Sequence, residues 1–123
     1  MKLMTIVATL TLCLAGCSGS GTMRRTVSVP IQPSDAPARF AAVCQHLEAE
    51  GFELAKHGYG TVFVPGEFAR YHKVRNGAIT FPEVEVRCTT RAETGESVLV
   101  FDVIDYRESR LDGCVAKLRT WSQ

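Results

Sequence analysis

The chain predicts an α+β two-layer sandwich: two amphipathic helices packed on one face of an antiparallel sheet of four or five strands. Two observations carry this expectation. One apolar stripe of helical period lies early in the chain, a second closes it, and the stretch between them alternates with a strand-like period. Turn signals at Pro65-Gly66, Asn76-Gly77 and Gly95 cut that middle stretch into short strands that pair with their sequence neighbours. Both stripes are buried together when both helices lie on the sheet.

Residues 26–31 alternate modestly and read as an edge strand, ended by Pro30 and Pro33. Ser34 or Asp35 caps a helix that runs to about Glu50. Its residues Phe40, Val43, Cys44 and Leu47 form one stripe, and Gly51 terminates it. Residues 52–56 and 61–64 read as two short strands, and residues 68–75 as a third. Asn76-Gly77 is the pair that a type I′ hairpin turn requires, because both residues tolerate positive φ. The return strand over residues 78–81 is stopped or bulged at Pro82.

Residues 83–90 then alternate clearly, with Val84, Val86 and Cys88 on one side and Glu85, Arg87 and Thr89 on the other. Residues 97–106 form the most hydrophobic strand and are apolar on both sides. That pattern fits a central strand covered twice, or a face used for binding. Asp102 shares a side with Val98, Val100 and Ile104, so it needs a partner, and Arg87 on the neighbouring strand is the candidate. The last element is a helix capped by Ser109, with Asp112 at the capping-box position and a stripe of Leu111, Cys114, Val115 and Leu118.

The first 16 residues belong to a different category. Lys2 is followed by an apolar run over residues 3–15, too short to span a bilayer and of the length of a signal peptide. Leu14-Ala15-Gly16-Cys17 follows at the end of this run and resembles the lipobox of bacterial lipoproteins. The resemblance covers these 17 residues alone. It implies that residues 1–16 are removed and that Cys17 carries the lipid (diacylglycerol on sulfur, then a fatty acid such as palmitate on the new amino group). It implies a membrane-bound protein of the bacterial cell envelope. Ser18, standing where aspartate would retain such a protein at the inner membrane, implies an outer-membrane protein facing the periplasm. The chain therefore divides into a signal peptide at 1–16, a lipidated cysteine and flexible tether at 17–25, and one domain at 26–123.

Removing the signal peptide removes one lysine and leaves 13 basic and 13 acidic residues. Near-zero charge argues against nucleic-acid binding and against a polybasic membrane patch. Arg24-Arg25 is the one small basic cluster and reads as solvated surface.

Three cysteines remain for a disulfide, Cys44, Cys88 and Cys114, and an oxidising periplasm favours one bridge and one free thiol. A bridge involving Cys44 is expected. All three lie on core stripes, where burial makes a thiol inert, so none reads as a nucleophile. His46, His57 and His72 lack metal-ligand spacing, and no HExxH, nucleophile-elbow or phosphate-loop pattern occurs after Cys17. No catalytic residue, metal site or cofactor is expected, and the chain does not read as an enzyme. Candidate protein-binding residues are Arg70, Tyr71, His72, Lys73 and Arg75, with Tyr59 next, because tyrosine and arginine near turns are common interface anchors. The expectation is a protein-binding module of the envelope. The alternative is a carrier or sensor of a small apolar or lipidic ligand.

Overall fold

The computed structural model describes residues 21–55, 60 and 62–123. The elements run β1 (Met23–Ile31), a 3-10 turn (Pro33–Asp35), α1 (Ala36–Ala49), β2 (Phe52–Leu54), β3 (Phe63–Val64), β4 (Phe68–Arg75), β5 (Ala78–Thr90), β6 (Ser97–Asp105) and α2 (Glu108–Trp121). Two helices against an antiparallel sheet are the expected α+β arrangement. The sheet order is β1-β6-β5-β4-β2, with β3 also paired to β4. Six strands stand where four or five were expected, yet the sheet is only five positions wide. β2 pairs with residues 71–73 of β4 and β3 with residues 68–69, so the two lie end to end along one edge.

Alternation decides what each strand buries. Ala69 and Tyr71 of β4, Val84 and Val86 of β5, and Leu99, Phe101 and Val103 of β6 are all fully buried, and they join the helix stripes in one core. α1 contributes Phe40, Val43, Cys44 and Leu47, and α2 contributes Leu111, Cys114 and Leu118. The helix ends are tied to each other as well. The His46 and Trp121 rings stack with centroids 5.1 Å apart, and Arg39 Nη1 donates to the Ser122 carbonyl at 2.7 Å.

The hairpin between β4 and β5 turns through Asn76 (φ 54°) and Gly77 (φ 79°), both in the left-handed region that the type I′ turn needs. β5 does not stop at Pro82. Tyr71 pairs with Val84 but Lys73 with Thr80, so β5 carries extra residues in a bulge that contains the cis Phe81-Pro82 peptide. The missing N–H of proline is tolerated there because the ladder is already interrupted.

Three expectations are corrected. β1 begins at Met23, inside the stretch assigned to the tether. Residues 23–25 pair with residues 105–103 of β6, and Arg25 reaches Glu108 and Asp112 of α2, each at 3.5 Å. Neighbouring arginines on a strand point to opposite faces, so Arg24 and Arg25 do not form one basic cluster. Ser109 does not cap α2, which starts at Glu108 after Arg107. Its first turn is instead received by Asp105, whose Oδ1 accepts the Arg107 N–H at 3.1 Å. Among the described residues, no helix is long and apolar enough to cross a membrane.

Candidate functional site

The face of the sheet opposite the helices is open, and a row of polar residues crosses four strands on it. The register sets Thr26 of β1 opposite Asp102 of β6, Asp102 opposite Glu85 of β5, and Glu85 opposite Arg70 of β4. Two carboxylates placed directly across a strand pair repel. Arginines offset this on both sides. Arg87 Nη2 lies 3.0 Å from Asp102 Oδ2 while its Nε is 4.0 Å from Glu85 Oε1, and Arg70 Nε lies 3.3 Å from Glu85 Oε2. Thr26 Oγ1 donates to Asp102 Oδ1 at 2.5 Å, and Arg24 Nη1 stands 3.9 Å from the same oxygen.

Asp102 therefore has the cationic partner its apolar strand face required, and that partner is Arg87. The Asp102 side chain is 11% exposed although no helix covers it, because Arg24 and Arg87 crowd over it. Arg87 Nε is buried without a hydrogen-bond partner. A cavity of about 250 Å³ opens on this face, lined among others by Arg24, Arg70, His72, Ile79, Glu83 and Asp102.

The candidate binding residues separate cleanly. Arg70 and His72 lie on the open-face side, Arg70 half-buried but His72 buried at 6% exposure, and Arg75 ends β4 at the hairpin. Tyr71 and Lys73 do not belong to that surface. Tyr71 is fully buried on the helix side, where its hydroxyl donates to Glu48 Oε2 at 2.9 Å. Lys73 donates to the Glu50 carbonyl at 2.5 Å, closing the C-terminal end of α1, and its Nζ sits 4.5 Å from the centroid of the Phe52 ring. Alternation along β4 is the physical reason: residues 70 and 72 face one way, residues 71 and 73 the other. Tyr59, His57 and Cys17 lie outside the described residues. Arg24 and Glu85 were missed in the sequence, where only the outward pattern of Glu85 and Arg87 hinted at this face.

A second concavity lies on the helix side. It has a volume of about 600 Å³ between α1 and the turn from β3 to β4, and Pro37, Phe40, Phe63, Pro65 and Tyr71 make it mainly apolar. Phe63 at its edge is 41% exposed. Cys44 lies in its wall against Tyr71. Burial pushes the Cys44 thiol up, contact with the Tyr71 hydroxyl lowers it, and nearby Glu48 raises it again, leaving it above the ordinary thiol range.

Cys44, Cys88 and Cys114 are three free thiols, so the expected bridge with Cys44 is not formed. They sit on three different elements, α1, β5 and α2, each packed into its own part of the core. Among the described residues no group of three or more histidine, cysteine, aspartate or glutamate side chains is placed to hold a metal ion. No family model, curated protein or solved structure matches this chain.

Proposed function

We propose that the chain is a lipoprotein of the bacterial envelope, anchored through lipid on Cys17 at the outer membrane and facing the periplasm, whose domain is a non-enzymatic protein-binding module. Its partner is another envelope protein, met in assembly or bound to neutralise a toxin or hydrolase. The observation that supports this best is the open sheet face. Its arginines and carboxylates are held in fixed geometry by one another across four strands, which favours specific recognition of a complementary mixed-charge surface. Arg70 and Arg24 are the anchors we assign to the contact, since arginine is enriched where interfaces concentrate their binding energy.

The test is capture from a detergent extract of the cell envelope with the Cys17→Ser chain and its Arg70→Glu variant, read by mass spectrometry. One stoichiometric protein, lost with Arg70→Glu, supports the module. A partner retained equally by both proteins places the contact elsewhere and removes the open face from the proposal.

The apolar groove beside Tyr71 favours a second reading, a carrier or sensor of a small apolar or lipidic ligand, since its volume and lining suit one. Native mass spectrometry decides it: a bound lipid mass that disappears in Phe63→Glu supports the carrier, and a clean apo mass counts against it.

A further inference from the structure

The domain's tethered end carries its own surface. Met23 pairs with Asp105, so the chain enters the sheet at the edge where β6 ends and Tyr106 follows. The hairpin from β4 to β5 projects past the same edge, because Val74 pairs with Ile79 and Arg75 with Ala78 beyond the bulge. Tyr106 closes onto this hairpin. Its ring meets the Phe81 ring edge-on at 5.4 Å between centroids, and Arg75, Ile79, Thr80, Phe81, Tyr106 and Arg110 line one open notch of about 370 Å³.

The chemistry of this end differs from the rest of the surface. Among the described residues, four large hydrophobic side chains are exposed, and three of them are here: Ile79 and Tyr106, each 55% exposed, and Val74 at 36%. Arg75 and Arg107 are exposed and form no ion pair among the described residues. Arg24 also lies at this end, and Arg110 is placed over the Tyr106 ring at 5.3 Å. Two of the nearby carboxylates are engaged, Asp105 buried against Arg110 and Glu108 paired with Arg25, while Glu83 lines the open-face cavity together with Ile79. Tyrosine, aliphatic side chains and unpaired arginine together suit the headgroup zone of a bilayer, where rings and methyls enter the interface and guanidinium groups meet lipid phosphates.

We propose that this end, residues 74–79 with Tyr106 and Arg107, is a bilayer-resting surface that seats the domain on the membrane holding its anchor. The proposal rests on lipidation of Cys17. Five residues separate Cys17 from Met23, and the six Cα steps between them span about 22 Å at most. The hairpin end therefore stays within a short distance of the headgroups. A contact too weak to hold a free protein is sufficient here, because a short tether makes the encounter intramolecular. Seated on this edge, the strands run away from the membrane, and the open face with Arg70 and Asp102 points sideways into the periplasm.

The experiment is hydrogen exchange by mass spectrometry on the acylated full chain in vesicles of phosphatidylethanolamine and phosphatidylglycerol, compared with the Cys17→Ser chain in buffer. The intact mass is measured first. An unacylated Cys17 overturns the anchor reading itself, before the surface is tested. With Cys17 acylated, exchange in residues 74–80 and 106–107 is expected to slow about tenfold, the effect of a surface that is undocked a tenth of the time. The acylated Ile79→Ser/Tyr106→Ser protein is expected to lose that protection. Both side chains are more than half exposed, so the fold is retained, and a far-ultraviolet spectrum verifies this. Arg75→Ser provides a second variant, with protection expected to weaken and to become less sensitive to salt. Unchanged exchange at the hairpin in the acylated chain overturns the proposal. So does protection that falls instead on residues 83–87 of the open face.

Discussion

Asp105 and Arg110 meet in a two-pronged ion pair at the junction of β6 and α2, with Nε 2.6 Å from Oδ2 and Nη2 2.8 Å from Oδ1. The carboxylate is fully buried and Arg110 is 35% exposed. A charge at such depth is tolerated because both oxygens are hydrogen-bonded, by two prongs from Arg110 and by the Arg107 N–H that opens α2. The pair thus does the capping that Ser109 was expected to do. Asp105→Ala is expected to destabilise the protein by about 3 kcal/mol, because it removes a buried acceptor and leaves two donors without it. Urea unfolding measures this, and a loss below about 0.5 kcal/mol would show that the junction is not held this way.

The same pair gives a pH dependence. Burial pushes the Asp105 carboxyl up, but Arg110 and the Arg107 and Tyr106 N–H groups together hold it below the usual carboxylate range. A group with a depressed folded-state pKa contributes its stability above its unfolded value and loses it as pH falls through the folded value. Stability attributable to Asp105 should therefore be complete above about pH 4 and decline below it. Asp105→Asn should flatten that acid limb in thermal melts. An unchanged limb would assign acid sensitivity to other carboxylates.

On the open face, Asp102→Ala is expected to cost about 1–2 kcal/mol. It strands the Arg87 guanidinium and the Thr26 hydroxyl, yet Arg87 is 42% exposed and water recovers part of the loss. Replacing both partners, Asp102→Leu with Arg87→Met, should be near neutral, because Val98, Val100 and Ile104 already make that strand face apolar. A double-mutant cycle in urea measures the coupling. A double variant less stable than Asp102→Ala would contradict this account.

The thiols should be inert in the folded state. Burial pushes Cys114 up to about 11 and raises Cys88 as well, while Cys44 is raised despite its contact with Tyr71. With a pKa near 11, about one Cys114 in a thousand is thiolate at pH 8. Among Cys44, Cys88 and Cys114, alkylation at that pH should mark half-buried Cys88 first and reach Cys44 and Cys114 only on unfolding. Rapid native labelling of Cys114 would overturn the buried placement.

Local pattern carried much of the fold. The stripe Phe40, Val43, Cys44, Leu47 and the stripe Leu111, Cys114, Leu118 were both legible because helical period and burial coincide in them. Asn76-Gly77 was legible because few other pairs accept two positive φ values. The partnership of Arg87 with Asp102 was legible from charge alone, since an acid among valines requires a cation and the hairpin supplied one. The candidate site was only half legible. Arg70 and His72 reached the open face, but Tyr71 and Lys73 went to the core side; Pro82 marked a stop or a bulge without choosing between them, and the shared edge of β2 and β3 has no signature in short stretches of sequence.

The sequence by itself determined the two helix stripes, the hairpin turn and the α+β class, because each depends on residues within a few positions of one another. The tertiary structure decided which face of each strand meets the helices, that Asp105 rather than Ser109 holds α2, that the three thiols stay apart, and that Thr26, Asp102, Glu85 and Arg70 form one row. Those outcomes depend on strand order and register, where residues as far apart as Thr26 and Asp102 become neighbours, and a shift of one residue would turn every side chain of a strand to the opposite face.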